Sequence, residues 1–379
     1  MDRPLILDTT LREGEQTPGV HFTIDQKVAI ARRLDEFGVD FIEAGHPMVS
    51  PEIRRGVEAV AREGLNAQIF AHARAVRDDI DAARACDADW VGIFFSVRDK
   101  RLEDQFRKNM DQAVTVIQDA VSYAKAHGLR VRYTPEDTVR SPWENVERAA
   151  RAAVEAGADR ISVADTTGCM TPTQMQAFFT RLRSVVDVPL NVHCHNDLGM
   201  AVANSLAAYE AGASLIDVTV NGLGERTGIA PIAETTTALT LRYGIDPAWK
   251  LDMLPRLSDA VAEASGIPVH PQQPIVGAHA FRHNAGLHVA AVFVNPDHYE
   301  SIPAALVGRS RSVALDRFAG LHTLQFKCRE LGLVATEREL EQVLARIKQE
   351  ERPVVTDDEF RLLLDEVRTP LAARAPILR

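Results

Sequence analysis

From residue 5 to about residue 243, short runs of β-branched and other apolar residues alternate with longer stretches whose apolar positions recur at helical spacing. Eight short runs predict strands: Leu5–Thr10, Asp40–His46, Ala67–Ala73, Trp90–Ser96, Arg130–Glu136, Arg160–Thr166, Leu190–Asp197 and Leu215–Asn221. Stretches such as Asp25–Phe37, Val146–Ala156 and Thr173–Val185 predict helices between them. Alternating strands and helices build a parallel sheet, because a parallel connection needs a crossover that is usually helical. Eight such units in about 240 residues predict an α/β fold of the closed (β/α)8 TIM-barrel type, in preference to an open doubly wound sheet. The tripeptides Gly38-Val39-Asp40, Gly157-Ala158-Asp159 and Gly212-Ala213-Ser214 mark unit boundaries, since glycine just past a helix takes the left-handed conformation that ends it.

After Tyr243 the pattern changes, and Pro247, Pro255, Pro268, Pro271 and Pro274 break it into a helix at Leu254–Ser265 and an irregular loop. From Leu321 the chain turns helical and charged, with amphipathic helices at Thr336–Glu350 and Asp357–Val367. The reading is a barrel domain over 1–250, a linker and accessory subdomain over 251–320, and a small, mostly helical subdomain over 321–379.

Composition narrows the class. The 379 residues are 46% hydrophobic and 25% charged, ordinary usage for a globular protein, which argues against disorder and against a disulfide scaffold. A formal charge of -10 without a basic stripe makes nucleic acid a poor partner. Cys86, Cys169, Cys194 and Cys328 form no C-x-x-C pair, so reduced thiols are expected rather than a zinc ribbon or disulfides. The start carries no signal-peptide pattern and no run spans a membrane, so the expected location is the cytoplasm.

In such a barrel the C-terminal strand ends and the loops after them form the active site. Ionisable residues collect there: Arg12 and Glu13, Glu43 and His46, His72, Arg132 and Glu136, Asp165, His193, His195 and Asp197, Glu225 and Arg226. His193 and His195 are two apart on a strand, so both imidazoles face the interior while Cys194 faces the helices. That pair suits a divalent ion, with Glu13 the best carboxylate to complete it. Arg132 and Glu136 share the interior face by the same alternation, and a buried guanidinium there requires an anion. The loop Gly222–Gly228 has the spacing G-x-G-x-x-x-G after the last strand, which is not the dinucleotide fingerprint. Its glycines would instead let backbone approach a ligand or a neighbouring loop.

These residues resemble a known family, the α-acyl-CoA synthases that include homocitrate synthase and 2-isopropylmalate synthase. The resemblance is carried by Asp8-Thr-Thr-Leu-Arg-Glu-Gly-Glu-Gln16, His193-Cys-His-Asn-Asp197, the Gly222–Gly228 loop, and Ala280-Phe-Arg-His-Asn-Ala-Gly-Leu-His288 with Asn295-Pro-Asp-His-Tyr299. It implies a metal-dependent Claisen condensation of acetyl-CoA with a 2-oxo acid, an acyltransferase reaction of amino-acid biosynthesis. Glu13, His193 and His195 resemble the metal ligands, for Zn, Mn, Mg or Co. Arg12, Gln16, His72, Arg132, Thr134 and Thr166 resemble substrate-binding groups. Arg12, Glu136, His288 and Tyr299 resemble the catalytic groups, with His288 and Tyr299 delivered by the partner of a homodimer. Arg132 and His72 match the groups that hold the distal carboxylate of 2-oxoglutarate, so homocitrate is the expected product. Gly92 departs from that pattern and leaves room for another acid, such as oxaloacetate, phosphonopyruvate or 2-oxoisovalerate. Only about 60 residues follow Gly320, too few for a leucine-sensing domain. A barrel metallohydrolase or lyase is the alternative of another class, and the lack of a cysteine after the eighth strand argues against a lyase of the hydroxymethylglutaryl-CoA type.

Overall fold

In the computed structural model, which describes residues 2–245, 249–349 and 354–369, eight parallel strands close into a barrel in chain order. They are β1 (Leu5–Asp8), β2 (Phe41–Gly45), β3 (Gln68–Arg74), β4 (Trp90–Ser96), β5 (Arg130–Glu136), β6 (Arg160–Asp165), β7 (Leu190–Cys194) and β8 (Ala213–Val218). Pairing of β1 with β8, Leu5 opposite Leu215, completes the ring. The fold is thus the TIM barrel that the alternation predicts, with several strands shorter than expected at their ends. β7 stops at Cys194, and His195 instead makes an isolated antiparallel bridge to Ile229.

The outer helices follow their local signals. The helix Ile24–Phe37 starts at Thr23, whose hydroxyl accepts from the Gln26 backbone while the Gln26 side chain accepts from the Thr23 N–H. It ends at Gly38, and Gly38, Gly157 and Gly212 all have φ near 100°, at 102°, 102° and 101°. Its Ile30, Ala31, Leu34 and Phe37 form the buried face.

Within the barrel, Leu7, Phe41, Phe70, Trp90 and Leu215 form an apolar floor at the N-terminal end. Phe70 and Trp90 stack at 5.0 Å, with Phe41 edge-on to both. Polar residues further along the same strand faces therefore sit above a dry layer.

The chain forms two compact units, 1–269 and 270–379, where the pattern predicted boundaries at 250 and 320. The first extends past 250 because the helix Leu254–Ser265 packs against Ile24–Phe37 and buries Leu257 and Val261. The second is not divided at 320 because Leu315 and Ala319 share a core with Leu324, Leu340, Val343 and Phe360 of the following helices. Its described helices are Gly286–Val294, Leu321–Glu330, Glu337–Gln349 and Asp357–Arg368. Pro247, Glu350 and residues 370–379 of the predicted last subdomain lie outside the described residues. Among the described residues no helix is long and apolar enough to cross a membrane.

Candidate active site

The turn after β1 is built to hold two side chains in place. Thr9 O accepts from the Arg12 and Glu13 N–H groups at 3.0 and 2.7 Å. The buried Lys27 ammonium donates to Leu11 O at 3.0 Å and to Glu15 Oε2 at 2.6 Å, tying the turn to the first helix. From the other side the Gly222–Gly228 loop closes in, and Glu225 N–H donates to Glu13 Oε1 at 3.0 Å. Glycine is required there, because a β-carbon at Gly224 (φ 156°) would come within 3.1 Å of the Glu13 side chain, and one at Gly228 (φ 74°) within 1.7 Å of Gly222 O. The loop braces a carboxylate, which agrees with the expectation that its glycines serve close backbone approach.

Glu13, His193 and His195 converge, each buried, with one donor atom apiece lying within 4.8 Å of the others. His193 Nε2 and His195 Nε2 are 3.4 Å apart, and Glu13 Oε1 is 3.9 Å from His195 Nε2. Burial pushes the Glu13 carboxyl up, but Arg12, His193 and His195 outweigh it and hold it near 2. Burial, reinforced by His193, depresses the His195 imidazole to about 4. His193 Nδ1 pairs with Asp217 Oδ2 at 3.0 Å, the kind of outer partner that fixes the tautomer of a ligating imidazole. Two imidazoles facing each other beside a carboxylate fit a divalent ion, and no other described group of three or more His, Cys, Asp or Glu does so. Cys194, between them, is fully buried toward Ser205, and burial raises its thiol.

Deeper in the barrel lies a charged layer. Arg132 donates to Glu43 Oε1 at 2.9 Å, Asn191 Oδ1 at 3.1 Å and Asp217 Oδ2 at 3.4 Å. The inference that this guanidinium must await a substrate anion is thereby corrected, because the protein supplies its anions. The space attributed to Gly92 is also taken: a β-carbon there would lie 2.9 Å from Arg132 Nη2 and 3.4 Å from Glu43 Oε1. Arg12 spans Glu13 and Glu43, its Nε 2.6 Å from Glu43 Oε2. Burial raises the Glu43 carboxyl, yet Arg12 and Arg132 prevail and hold it well below the usual range.

Toward the mouth, Glu136 pairs through Oε1 with Arg101 at 3.0 Å while Oε2 is buried without a hydrogen-bond partner. Burial raises its pKa against the pull of Arg101. One cavity is lined by Arg12, Glu13, Gln16, His72, Arg132 and Thr134, and equally by Glu136, Thr166, His193 and His195. Every barrel residue that the family resemblance places in the site thus shares one space, whereas Glu43, Asp165 and Asp197 do not line it. His288 and Tyr299 belong to the second unit, where their rings pack at 4.3 Å and Tyr299 is exposed. Sequence reasoning missed Asp217 and Asn191, although an acid inside the apolar run Leu215-Ile-Asp-Val218 was a visible signal. It named His46 but not its buried partner, Asp79.

Comparison with known proteins agrees with this geometry. Residues 3–261 match the family model described as HMGL-like, and residues 275–352 match one described as homocitrate synthase post-HMGL domain-like. A homocitrate synthase of Pyrococcus abyssi is 47% identical over 366 residues, covering 96% of this chain and 99% of that protein. Homocitrate synthase AksA of Methanopyrus kandleri is 47% identical over 97% of this chain and 93% of its own length. Among solved structures, a Bacillus subtilis HMG-CoA lyase superposes with a TM-score of 0.64 at 20% identity, over 73% of this chain and 97% of that one, a likeness of fold.

Proposed function

We propose an activity on the strength of family membership: this chain belongs to the HMGL-like family, with homocitrate synthases as near full-length relatives. It condenses acetyl-CoA with 2-oxoglutarate and releases homocitrate and CoA. The observation that carries the reading is the 47% identity along 96% of the chain. The gathering around one cavity of the barrel residues matched by the family resemblance supports it.

Glu13, His193 and His195 would hold the divalent ion, whose chemistry is that of a Lewis acid toward the ketone oxygen. Arg12, immobilised between Glu13 and Glu43, turns its remaining N–H groups to the oxygen where negative charge develops. Thr166 and Gln16 hold the C1 carboxylate, Thr134 borders the chain of the oxo acid, and His72 and Arg132 define its distal end. Glu136 removes a proton from the acetyl methyl group, a role suited to a carboxylate with one unpartnered oxygen and a raised pKa. The carbon nucleophile bonds to the ketone carbon, the resulting alkoxide is protonated, and water cleaves the thioester to free the CoA thiol.

The enzyme acts as a homodimer in which a second copy brings His288 and Tyr299 as acid/base groups. Its support is the family resemblance and the exposure of Leu287, Val294 and Tyr299 around that pair, at 76%, 82% and 48%. Zn, Mn, Mg and Co all suit the mixed nitrogen and oxygen ligation. The four free thiols suit a reducing compartment, and we assign the enzyme to the cytoplasm. The test is CoA thiol release with acetyl-CoA, a divalent metal and 2-oxoglutarate, oxaloacetate, phosphonopyruvate or 2-oxoisovalerate in turn. Preference for 2-oxoglutarate is expected, and release independent of any oxo acid would mean a hydrolase.

A further inference from the structure

Two imidazoles line one wall of the barrel cavity, each with one nitrogen committed to a buried carboxylate. His72 Nδ1 lies 3.2 Å from Glu43 Oε1, and His46 Nε2 lies 2.7 Å from Asp79 Oδ2. Asp79 is itself fixed by Arg74, which donates from Nε at 2.9 Å and from Nη2 at 2.8 Å. The rings of His46 and His72 meet edge to face at 5.8 Å, and Phe94 stacks on His72 at 4.7 Å and lies edge-on to His46 at 6.4 Å. Neither imidazole is free to turn away without breaking its carboxylate bond.

Both carboxylates are ionised acceptors. Burial raises each, but the guanidiniums on Glu43, and His46 with Arg74 on Asp79, bring them below the usual range. In a neutral imidazole the N–H therefore points at the carboxylate. A lone pair is left on His72 Nε2 and on His46 Nδ1. Burial and the nearby Arg12 depress His72 to about 4, with Glu43 opposing and Arg132 adding to the effect, so at neutral pH it carries no charge.

The other charged groups around the pair are already matched. Arg12 is engaged by Glu13 and Glu43, Arg132 by Glu43 and Asp217, and Arg74 by Asp79. A second substrate carboxylate arriving here meets no unpaired cation, and the lone pair of the uncharged His72 would repel it. An imidazolium removes both problems at once, because the added proton supplies a charge and a donor.

We propose that His46 is a specificity-determining residue that, with His72, receives the distal carboxylate of the 2-oxo acid, the pair taking up one solvent proton as the dianion binds. The proton bonds to an imidazole nitrogen on binding and returns to solvent on release, with no other bond changed. This deepens the homocitrate synthase reading and rests on it.

The test is calorimetric titration of the metal-loaded enzyme with 2-oxoglutarate and with 2-oxobutyrate, each in two buffers of different ionisation enthalpy. Near neutral pH, uptake of about one proton is expected for the dicarboxylate and none for the monocarboxylate. Affinity for 2-oxoglutarate should fall with rising pH by up to about tenfold per unit, since a unit of proton linkage is a factor of ten in binding. His46→Asn should weaken 2-oxoglutarate by about 10–100-fold, the worth of a charge-assisted hydrogen bond, and leave 2-oxobutyrate within about twofold. In thiol-release kinetics the same variant should raise KM for 2-oxoglutarate far more than it lowers kcat. Equal proton uptake for the two acids, or unchanged discrimination in the variant, overturns the proposal. The wild-type titration can overturn it even if the variant fails to fold. Proton-linked binding without thiol release would sink the activity and leave this inference standing, whereas thiol release without proton uptake would do the reverse.

Discussion

Arg132 Nη2 lies 2.9 Å from Glu43 Oε1, with the two side chains only 2% and 0% exposed. Removing one member of such a pair leaves the other charged in a low-dielectric interior, which costs about 3–5 kcal/mol. Arg132→Ala should therefore lower the unfolding free energy measured by urea titration by that amount, as well as the activity. Gly92→Ala should cost about 1–3 kcal/mol, because its β-carbon must push the guanidinium aside. Wild-type unfolding curves for both variants would show that the pair contributes nothing to stability.

Glu136→Gln should reduce kcat by about 10²–10⁴-fold without altering the circular dichroism spectrum, the loss typical of a removed general base. A base acts deprotonated, and burial lifts this carboxyl above its ordinary 4.5. Activity should then fall as pH drops through a midpoint above 4.5. Arg101→Ala, which removes the opposing pull, should move that acidic limb further up, and a limb that moves down contradicts the assignment.

A chelator should abolish thiol release, and His195→Ala should lower the metal content measured by elemental analysis, since one of three protein ligands is lost. Full occupancy together with full activity in that variant would exclude His195 as a ligand.

Stability should depend on pH through His72. The folded protein holds this imidazole at about 4, against 6.5 for an ordinary histidine, so between these values the unfolded chain binds more protons. The contribution is fully present above 6.5 and is lost as pH falls toward 4. Urea melts should show stability rising with pH across that window, and the slope should flatten in His72→Gln. An unchanged slope would mean that other groups set it.

If the site is shared across the proposed dimer, mixing inactive Glu136→Ala with inactive His288→Ala should restore part of the activity, because a mixed dimer would regain one intact site. If heterodimers form and no thiol is released, the site is built within a single chain.

The barrel was legible in the sequence because its signals are local. A strand buried on both faces reads as a short apolar run, and the eight runs between helical stretches correspond to β1–β8, differing mainly at their ends. Period-two alternation placed His193 beside His195 and Arg132 on the same face as Glu136, and local motifs marked Arg12 and Glu13. The partners were not legible. Arg132 is paired through Nη1 and Nη2 with Glu43, Asn191 and Asp217, which come from β2, β7 and β8, and His46 with Asp79 from a helix start 33 residues on. Only the folded barrel brings these groups within bonding distance. For that reason the chain alone suggested an arginine seeking an anion and an empty place at Gly92, and the tertiary structure decided that the arginine is already paired and that its guanidinium fills the place.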